Sequence, residues 1–438
     1  MESKKEIYVG LLGLGTVGTG VVKSLLANES HITHQTGYRV RVKAALVQTF
    51  EKERRVAVNP SFMTKDPSVI LRDPEIDIVV EVMGGVEPAL SYIRQALLLR
   101  KHVVTANKEL LAKHGEELMR IAKEMGVRLL YEASVAGGIP IVRTLQAYLT
   151  ANRVSSIRGI LNGTSNYILT QMQLEHVTFT EALLEAQQLG YAEADPTSDV
   201  EGYDAAYKLL ILANMAFPVR AEMAFVRRIG ISKISPIDFE YATRLNCTIK
   251  LIGEASYDGE CVHLEVTPKL LSRTDALATV NDVFNAVTIS ADVVGELTFI
   301  GRGAGEMPTA SAVIEDIAEI LRSPKPPLVR QQEIGMDGWI KGNAIKQGMY
   351  YVRMQFSHLC QDQVLGVDGK TRFESVASAV EIGSGEGGLT RVFLVAGADL
   401  EQIVHIAECL QVKFYVILPY EGEFVLPEHS EFFTLPAV

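Results

Sequence analysis

Over the first 145 residues, short apolar runs alternate with stretches of helical periodicity. Residues 7–12 (IYVGLL) and 40–47 (VRVKAALV) are two such runs, and residues 76–83 (IDIVVEVM), 102–105 and 127–131 are three more. Between them, residues 16–26, 89–99 and 109–124 carry helical patterns. Near-continuous β-branched runs separated by helices predict parallel strands covered on both faces.

From residue 140 to 305 the texture changes. Helices are expected at 140–151, 180–189, 203–217 and 236–243, and strands at 156–161, 248–257, 261–268, 285–290 and 292–300. That mixture predicts a second, α+β domain. Beyond a linker-like stretch at 322–327 (RSPKPP) and a polar run to residue 343, strands at 346–355, 390–396 and 412–418 and a helix at 399–410 outline a small αβ sandwich. Residues 412–418 (VKFYVIL) and 349–356 (MYYVRMQF) have the apolar, partly alternating character of sheet edges that would pair with a second copy.

Length and charge narrow the class. A chain of 438 residues with 47% hydrophobic and 22% charged residues has the composition of a multidomain globular protein. The net charge of −11 argues against nucleic acid or an anionic membrane as partner. Residues 345–438 hold six Lys/Arg against twelve Asp/Glu, so the tail carries much of that charge. No apolar run approaches the roughly 18 residues of a membrane span, and the start lacks a signal-peptide pattern, so a cytoplasmic protein is expected. Cys247, Cys261, Cys360 and Cys409 have no metal-finger spacing, and none of the nine histidines falls in an H-x-x-x-H pattern. The segment 31–34 (HITH) reads as polar surface.

Two constellations carry chemistry. Gly13-Leu14-Gly15-Thr16-Val17-Gly18 follows the first strand and opens the first helix, the context of a dinucleotide-binding turn. Its glycines allow a tight turn and close approach to a pyrophosphate, which the helix N-terminus attracts. The second strand ends Val47-Gln48-Thr49 without the acid that would hold an NAD ribose, and the run 51–55 (EKERR) is partly basic, which tilts the expectation from NAD(H) slightly toward NADP(H). Further on, residues 193–204 hold five carboxylates (Glu193, Asp195, Asp199, Glu201, Asp204), and Lys208 then leads into an apolar helix. A solvated acidic loop with a surface Asp204–Lys208 pair is the plain alternative. A lysine at the head of a buried helix is costly unless paired, and its depressed pKa would suit proton transfer; the acids would suit an ammonium-bearing substrate.

These motifs, with 105–108 (TANK), 132–140 (EASVAGGIP), 162–167 (NGTSNY), 190–208 and 301–305 (GRGAG), resemble homoserine dehydrogenase in order from residue 7 to about 321. The tail is similar, more faintly, to the ACT regulatory domain found in many members. The resemblance implies an N-terminal Rossmann dinucleotide-binding domain (1–139, with 305–322 returning to it), an α+β substrate-binding and dimerisation domain (140–304), a linker (323–344) and an ACT-like αβ sandwich (345–438). It implies NAD(P)H-dependent interconversion of L-aspartate 4-semialdehyde and L-homoserine, on the route to threonine, methionine and isoleucine.

By that resemblance Lys208 is the proton donor and Lys108 contacts cofactor and reacting centre. Glu193, Asp204, Asp199, Tyr191 and Thr164 belong to the substrate site. Gly13, Gly15, Thr16, Val17, Gly18, Gly190 and Gly305, with Lys108, meet the cofactor. Glu132, Val135, Gly137 and Ile139 match a site for a monovalent cation, Na⁺ or K⁺, built mostly from backbone carbonyls. A monofunctional homodimer or homotetramer is expected.

Two departures stand out. Family members often carry arginine where Gln48 stands, and the expected D-x-P-G-type effector turn is missing at 356–362 (FSHLCQD). The segment 365–384 also looks short for the usual helix and strand. A degenerate ACT module that pairs subunits, with weak or no response to threonine, is therefore expected. Two other readings compete: a semialdehyde-oxidising enzyme needs a cysteine nucleophile, and Cys247 has no histidine nearby; a non-catalytic dinucleotide-bound sensor would not need Lys208, Asp204, Glu193 and Lys108.

Overall fold

A computed structural model describes residues 5–51, 62–218, 220–323, 348–355, 378–384, 390–398, 400–409 and 412–421. The strands β1 (Lys5–Leu12), β2 (Tyr38–Leu46), β3 (Met63–Thr64), β4 (Ile76–Glu81), β5 (His102–Thr105) and β6 (Leu129–Leu130) form a sheet in the order β3-β2-β1-β4-β5-β6. Every pairing in it is parallel. Val9, Leu11 and Val80 pack with residues of the helices Thr16–Ala27 and Glu306–Arg322, whereas Val79 and Val103 join Ile93, Leu97, Leu110 and Leu118 of Ala89–Leu98 and Lys108–Met125. Burial on both faces is why these strands read as continuous apolar runs. The order reverses beside β1, so the carboxyl ends of β1 and β4 frame the crevice where such sheets take ligands.

A second, mostly antiparallel sheet is built from β7 (Val154–Ile160), the two-residue β8 (Arg227–Arg228), β9 (Cys247–Tyr257), β10 (Val262–Ser272), β11 (Phe284–Ala291) and β12 (Gly295–Arg302), with β12-β11-β7-β9-β10 as the main order. The helix Tyr203–Ala216 packs on β9 and β10, and Gly163–Leu174 packs on β9 and β11.

The C-terminal strands β13 (Gly348–Gln355), β14 (Ser378–Ser384), β15 (Thr390–Ala398) and β16 (Phe414–Glu421) pair antiparallel in the order β16-β13-β15-β14, with the helix Leu400–Cys409 between β15 and β16. Expectation and structure part here. β13 is not an edge: it lies between β15 and β16, and β16 pairs through Tyr420 and Glu421 with Leu270 and Leu271 of β10 in the same chain. β13 is apolar because both of its faces are covered. Tyr350, Val352 and Met354 pack with Ile403 and Ala407, while Tyr351 joins the core of the catalytic half. The missing turn at 356–362 and the linker beyond residue 323 lie outside the described residues.

Smaller differences have local causes. The helix expected at 140–151 is a single turn, Ile141–Arg143, running into a π-type turn at Thr144–Tyr148. The segment at 31–34 belongs to a helix, Glu29–Thr36, closed by Gly37 in the left-handed conformation, and only Thr33 of it is buried. The strand expected at 127–131 shortens to β6, and the one at 292–300 begins at Gly295.

Candidate active site

The dinucleotide turn is shaped to take an anion. Gly13 has φ +108°, and a Cβ there would lie 2.9 Å from the Val82 carbonyl; one on Gly18 would collide with the Gly13 carbonyl. Gly15 by contrast faces open space. The helix Thr16–Ala27 has no side-chain cap and no acid in its first turn, so its leading N–H groups and positive dipole end are left for a ligand. These features fit a dinucleotide pyrophosphate held by Gly15, Thr16, Val17 and Gly18. Gln48 is exposed just past β2, and residues 52–55, with their basic side chains, lie outside the described residues.

Across the crevice, one aspartate binds two lysines. Asp204, in the first turn of Tyr203–Ala216, is 4% exposed. Its Oδ2 accepts from Lys208 Nζ at 2.6 Å and from Asn162 Nδ2 at 2.9 Å, and its Oδ1 lies 2.7 Å from Lys108 Nζ. Lys208 Nζ also donates to the Leu161 carbonyl at 2.8 Å. An ammonium has three donors, so one remains for a substrate. The two lysines are pushed apart electrostatically. Burial lowers the pKa of Lys208, whereas the charge of Asp204 raises that of Lys108. Asp204 itself is held well below the usual carboxylate range, its burial outweighed by Lys208 and Lys108. The two lysines thus sit in environments that push their protonation in opposite directions.

Asn162 organises the acids. Its Oδ1 caps Gly163–Leu174 through Ser165 N at 2.7 Å, while its Nδ2 bridges Asp204 and Asp199 Oδ1, the latter at 2.7 Å. Burial, then the neighbouring Asp204, raise the pKa of Asp199. Thr164 Oγ1 donates to the Tyr191 carbonyl at 2.7 Å, and the Tyr191 ring meets Tyr167 edge-on at 5.0 Å. Glu193 is exposed, and its carboxylate makes no hydrogen bond among the described residues. Asp204 thus meets three internal donors, whereas the exposed Glu193 carboxylate meets none among the described residues. Gly190 and Gly305, with φ +74° and +112°, are both exposed.

Beside β6, residues 131–137 are buried. Glu132 uses its carboxylate on Val142 N and Arg143 N at 2.9 and 2.8 Å, and its own N–H donates to Asp316 Oδ2 at 2.9 Å. Burial raises both acids, Asp316 up to about 8. Among the described residues no hydrogen bond reaches the carbonyls of Val135 or Gly137. Orphaned carbonyls beside two buried acids suit a hard monovalent cation.

Residues 13–132 match the family described as "Homoserine dehydrogenase, NAD binding domain", and residues 140–318 match "Homoserine dehydrogenase". The homoserine dehydrogenase of Bacillus subtilis (strain 168) is 47% identical over 319 residues, 73% of this chain and 74% of that protein. This chain belongs to the homoserine dehydrogenase family. Among solved structures, a homoserine dehydrogenase from Thiobacillus denitrificans superposes with TM-score 0.83 at 36% identity, covering 95% of this chain and 99% of that one. A hyperthermophilic archaeal homoserine dehydrogenase in complex with NADPH gives TM-score 0.61 at 26% identity, covering 73% of this chain and 99% of that one.

Three site residues escaped the sequence reading. Asn162 stands at the N-cap ahead of Gly163-Thr164-Ser165, a helix-start pattern that could have drawn attention. Asp316 sits in an otherwise amphipathic helix, with no local signal. Glu81 is the acid that closes the apolar run of β4. Fully buried, it accepts from Thr105 Oγ1 at 2.6 Å and Met83 N at 2.8 Å. Asn107, bonded to Thr105 Oγ1, caps the helix that begins at Lys108. Glu81 therefore supports the turn that launches Lys108.

Proposed function

We propose that Lys208 is the proton donor in the NAD(P)H-dependent reduction of L-aspartate 4-semialdehyde to L-homoserine. A nicotinamide cofactor bound at the dinucleotide turn would supply the hydride for the aldehyde carbon. Lys208 gives its proton to the carbonyl oxygen as the C=O becomes C–OH; in the reverse direction the neutral amine takes that proton back. Lys108 holds a fixed charge beside the reacting oxygen, and Asp204 holds both lysines in place. Glu193, with Asp199 behind it, answers the substrate's α-ammonium; Thr164 and Tyr191 shape that wall. The observation that carries the reading is the shared aspartate, with its two lysines shifted in opposite directions.

Thr16, Val17 and the glycines at 13, 15, 18, 190 and 305 approach the cofactor. The absence of an acid after β2 favours NADP(H) slightly. Glu132, Val135, Gly137 and Ile139 would hold Na⁺ or K⁺, mostly through backbone carbonyls, of which those of Val135 and Gly137 accept no hydrogen bond among the described residues. Division at residues 139, 304 and 344 separates the dinucleotide-binding, catalytic and C-terminal units, with 305–322 returning to the first. The β16-β13-β15-β14 order supports an ACT-like module, and assembly as a cytoplasmic homodimer or homotetramer follows the family resemblance. Among the described residues no helix is long and apolar enough to cross a membrane. Initial rates of NADPH and NADH oxidation with aspartate semialdehyde, with and without threonine, test the reading. A chain that binds cofactor but never turns over would overturn it in favour of a sensor.

A further inference from the structure

An arginine of the C-terminal sheet reaches a buried aspartate of the preceding domain. Arg353, on β13, is 6% exposed. Its Nε donates to Asp238 Oδ1 at 2.7 Å and its Nη2 to Asp238 Oδ2 at 3.0 Å, and Nη2 also donates to the Lys233 carbonyl at 3.1 Å. The Tyr351 hydroxyl adds a bond to Asp238 Oδ1 at 2.8 Å. Asp238, in the helix Pro236–Arg244, is fully buried, and its Oδ2 also accepts from Ser235 N and Oγ at 2.9 and 3.0 Å. Lys233 and Ser235 belong to a strap, residues 229–235, that precedes this helix.

The other end of the strap bears on the acidic loop. Ile231 N donates to the Val200 carbonyl at 2.8 Å, and Ile229 N to the Val266 carbonyl at 2.9 Å. A Cβ on Gly230 would collide with the Glu201 carboxylate and lie 2.6 Å from the Val200 carbonyl. Just ahead of the strap, Arg228 stacks on Tyr203 at 3.4 Å. Val200 follows Asp199 and Tyr203 precedes Asp204, so the strap links the Arg353 clasp to the chain beside both acids.

We propose that Arg353 is a positioning residue for the substrate site: through Asp238 and the strap, the C-terminal sheet sets where Asp199 and Asp204 stand. This rests on the reading of those acids given above. Buried ion pairs are weak evidence of net stabilisation but strong constraints on geometry, because losing one partner strands the other. A bidentate arginine that also holds a backbone carbonyl fixes orientation as a lysine cannot.

The test is Arg353→Lys in the full-length chain. A displacement of the loop on the ångström scale raises KM for homoserine by about 10- to 100-fold. The Kd for NADPH, read by its fluorescence, should stay within about twofold, since uniform unfolding would move both constants. Tyr351→Phe removes one bond from the same carboxylate and should raise KM less, in the same direction; it decides the matter if Arg353→Lys does not fold. A homoserine KM unchanged in a folded variant, or a Kd for NADPH that rises in step with KM, overturns the proposal. Asp204→Asn measured alongside separates the failures. If that change leaves homoserine kinetics intact, the reading of the acids is wrong; if it impairs them while the clasp variants do not, only the coupling fails.

Discussion

Asp204→Asn isolates what the shared aspartate does. The substitution nearly keeps the shape of the side chain and removes the charge that faces Lys208 at 2.6 Å and Lys108 at 2.7 Å. With both partners of the Lys208 pair buried, their attraction is of the order of ~4 kcal/mol at an effective dielectric of about 20. Losing that attraction loosens the hold of Lys208 on its proton, so its pKa falls further. Burial already lowers its pKa, and Asp204 is the largest influence opposing that. The sign follows directly: reduction needs the ammonium and is lost as pH rises through the Lys208 pKa, whereas oxidation of homoserine needs the neutral amine and grows over the same range. The assay is kcat in both directions from about pH 6 to about pH 11, bracketing neutrality and the ordinary lysine value. In the variant, the alkaline limb of the reductive profile should move to lower pH, and the rise of homoserine oxidation with pH should move to lower pH with it. An unmoved limb, or an equal loss at every pH in both directions, would refute the electrostatic role of Asp204.

Lys208→Ala should lower kcat by about 10² to 10⁴ with the Kd for NADP(H) unchanged, the usual worth of a positioned acid, and single-turnover rates with a titration of NADPH fluorescence check both. Added Na⁺ or K⁺ should raise the melting temperature or activity where a bulky organic cation at equal ionic strength does not; equal effects would mean general screening rather than a site at Glu132–Ile139. Removing residues 345–438 should lower the melting temperature strongly, since stranding a buried charge such as Asp238 costs about 3–5 kcal/mol; a truncated chain that melts like the whole one would contradict the buried interface.

The parallel sheet and the dinucleotide turn were legible because their physics is local. A strand buried on both faces must be apolar throughout, and Gly13 and Gly18 stand where any side chain would strike backbone. The acidic loop was legible for another reason: Lys208 led into a helix that had to be buried, and a buried lysine needs a partner. What the pattern could not supply was who partners whom. Asp204 is expected to meet the substrate's ammonium, and the fold adds two lysines to its oxygens, one of them Lys108, nearly a hundred positions earlier. Of the two C-terminal strands expected at an edge, β13 lies inside its sheet, because an apolar run reads the same whether a strand is an edge or is covered on both faces, here in part by the helix Pro236–Arg244.

That buried second face changes what the C-terminal sheet can do. Besides the Arg353 clasp, Glu421 at the end of β16 bonds Lys269 on β10 at 3.0 Å and pairs with Arg158 on β7. Lys269 is also held by Glu254 and Glu265, at 2.5 and 2.8 Å. β10, which carries Lys269, also carries Val266, whose carbonyl holds the strap at Ile229. Of these contacts the Arg353 clasp reaches the strap directly, at the Lys233 carbonyl, whereas Glu421 meets Lys269 on the same strand as Val266. Coupling of this kind is reciprocal: whatever tightens the acidic loop on a substrate biases the sheet by the same free energy with which the sheet biases the loop.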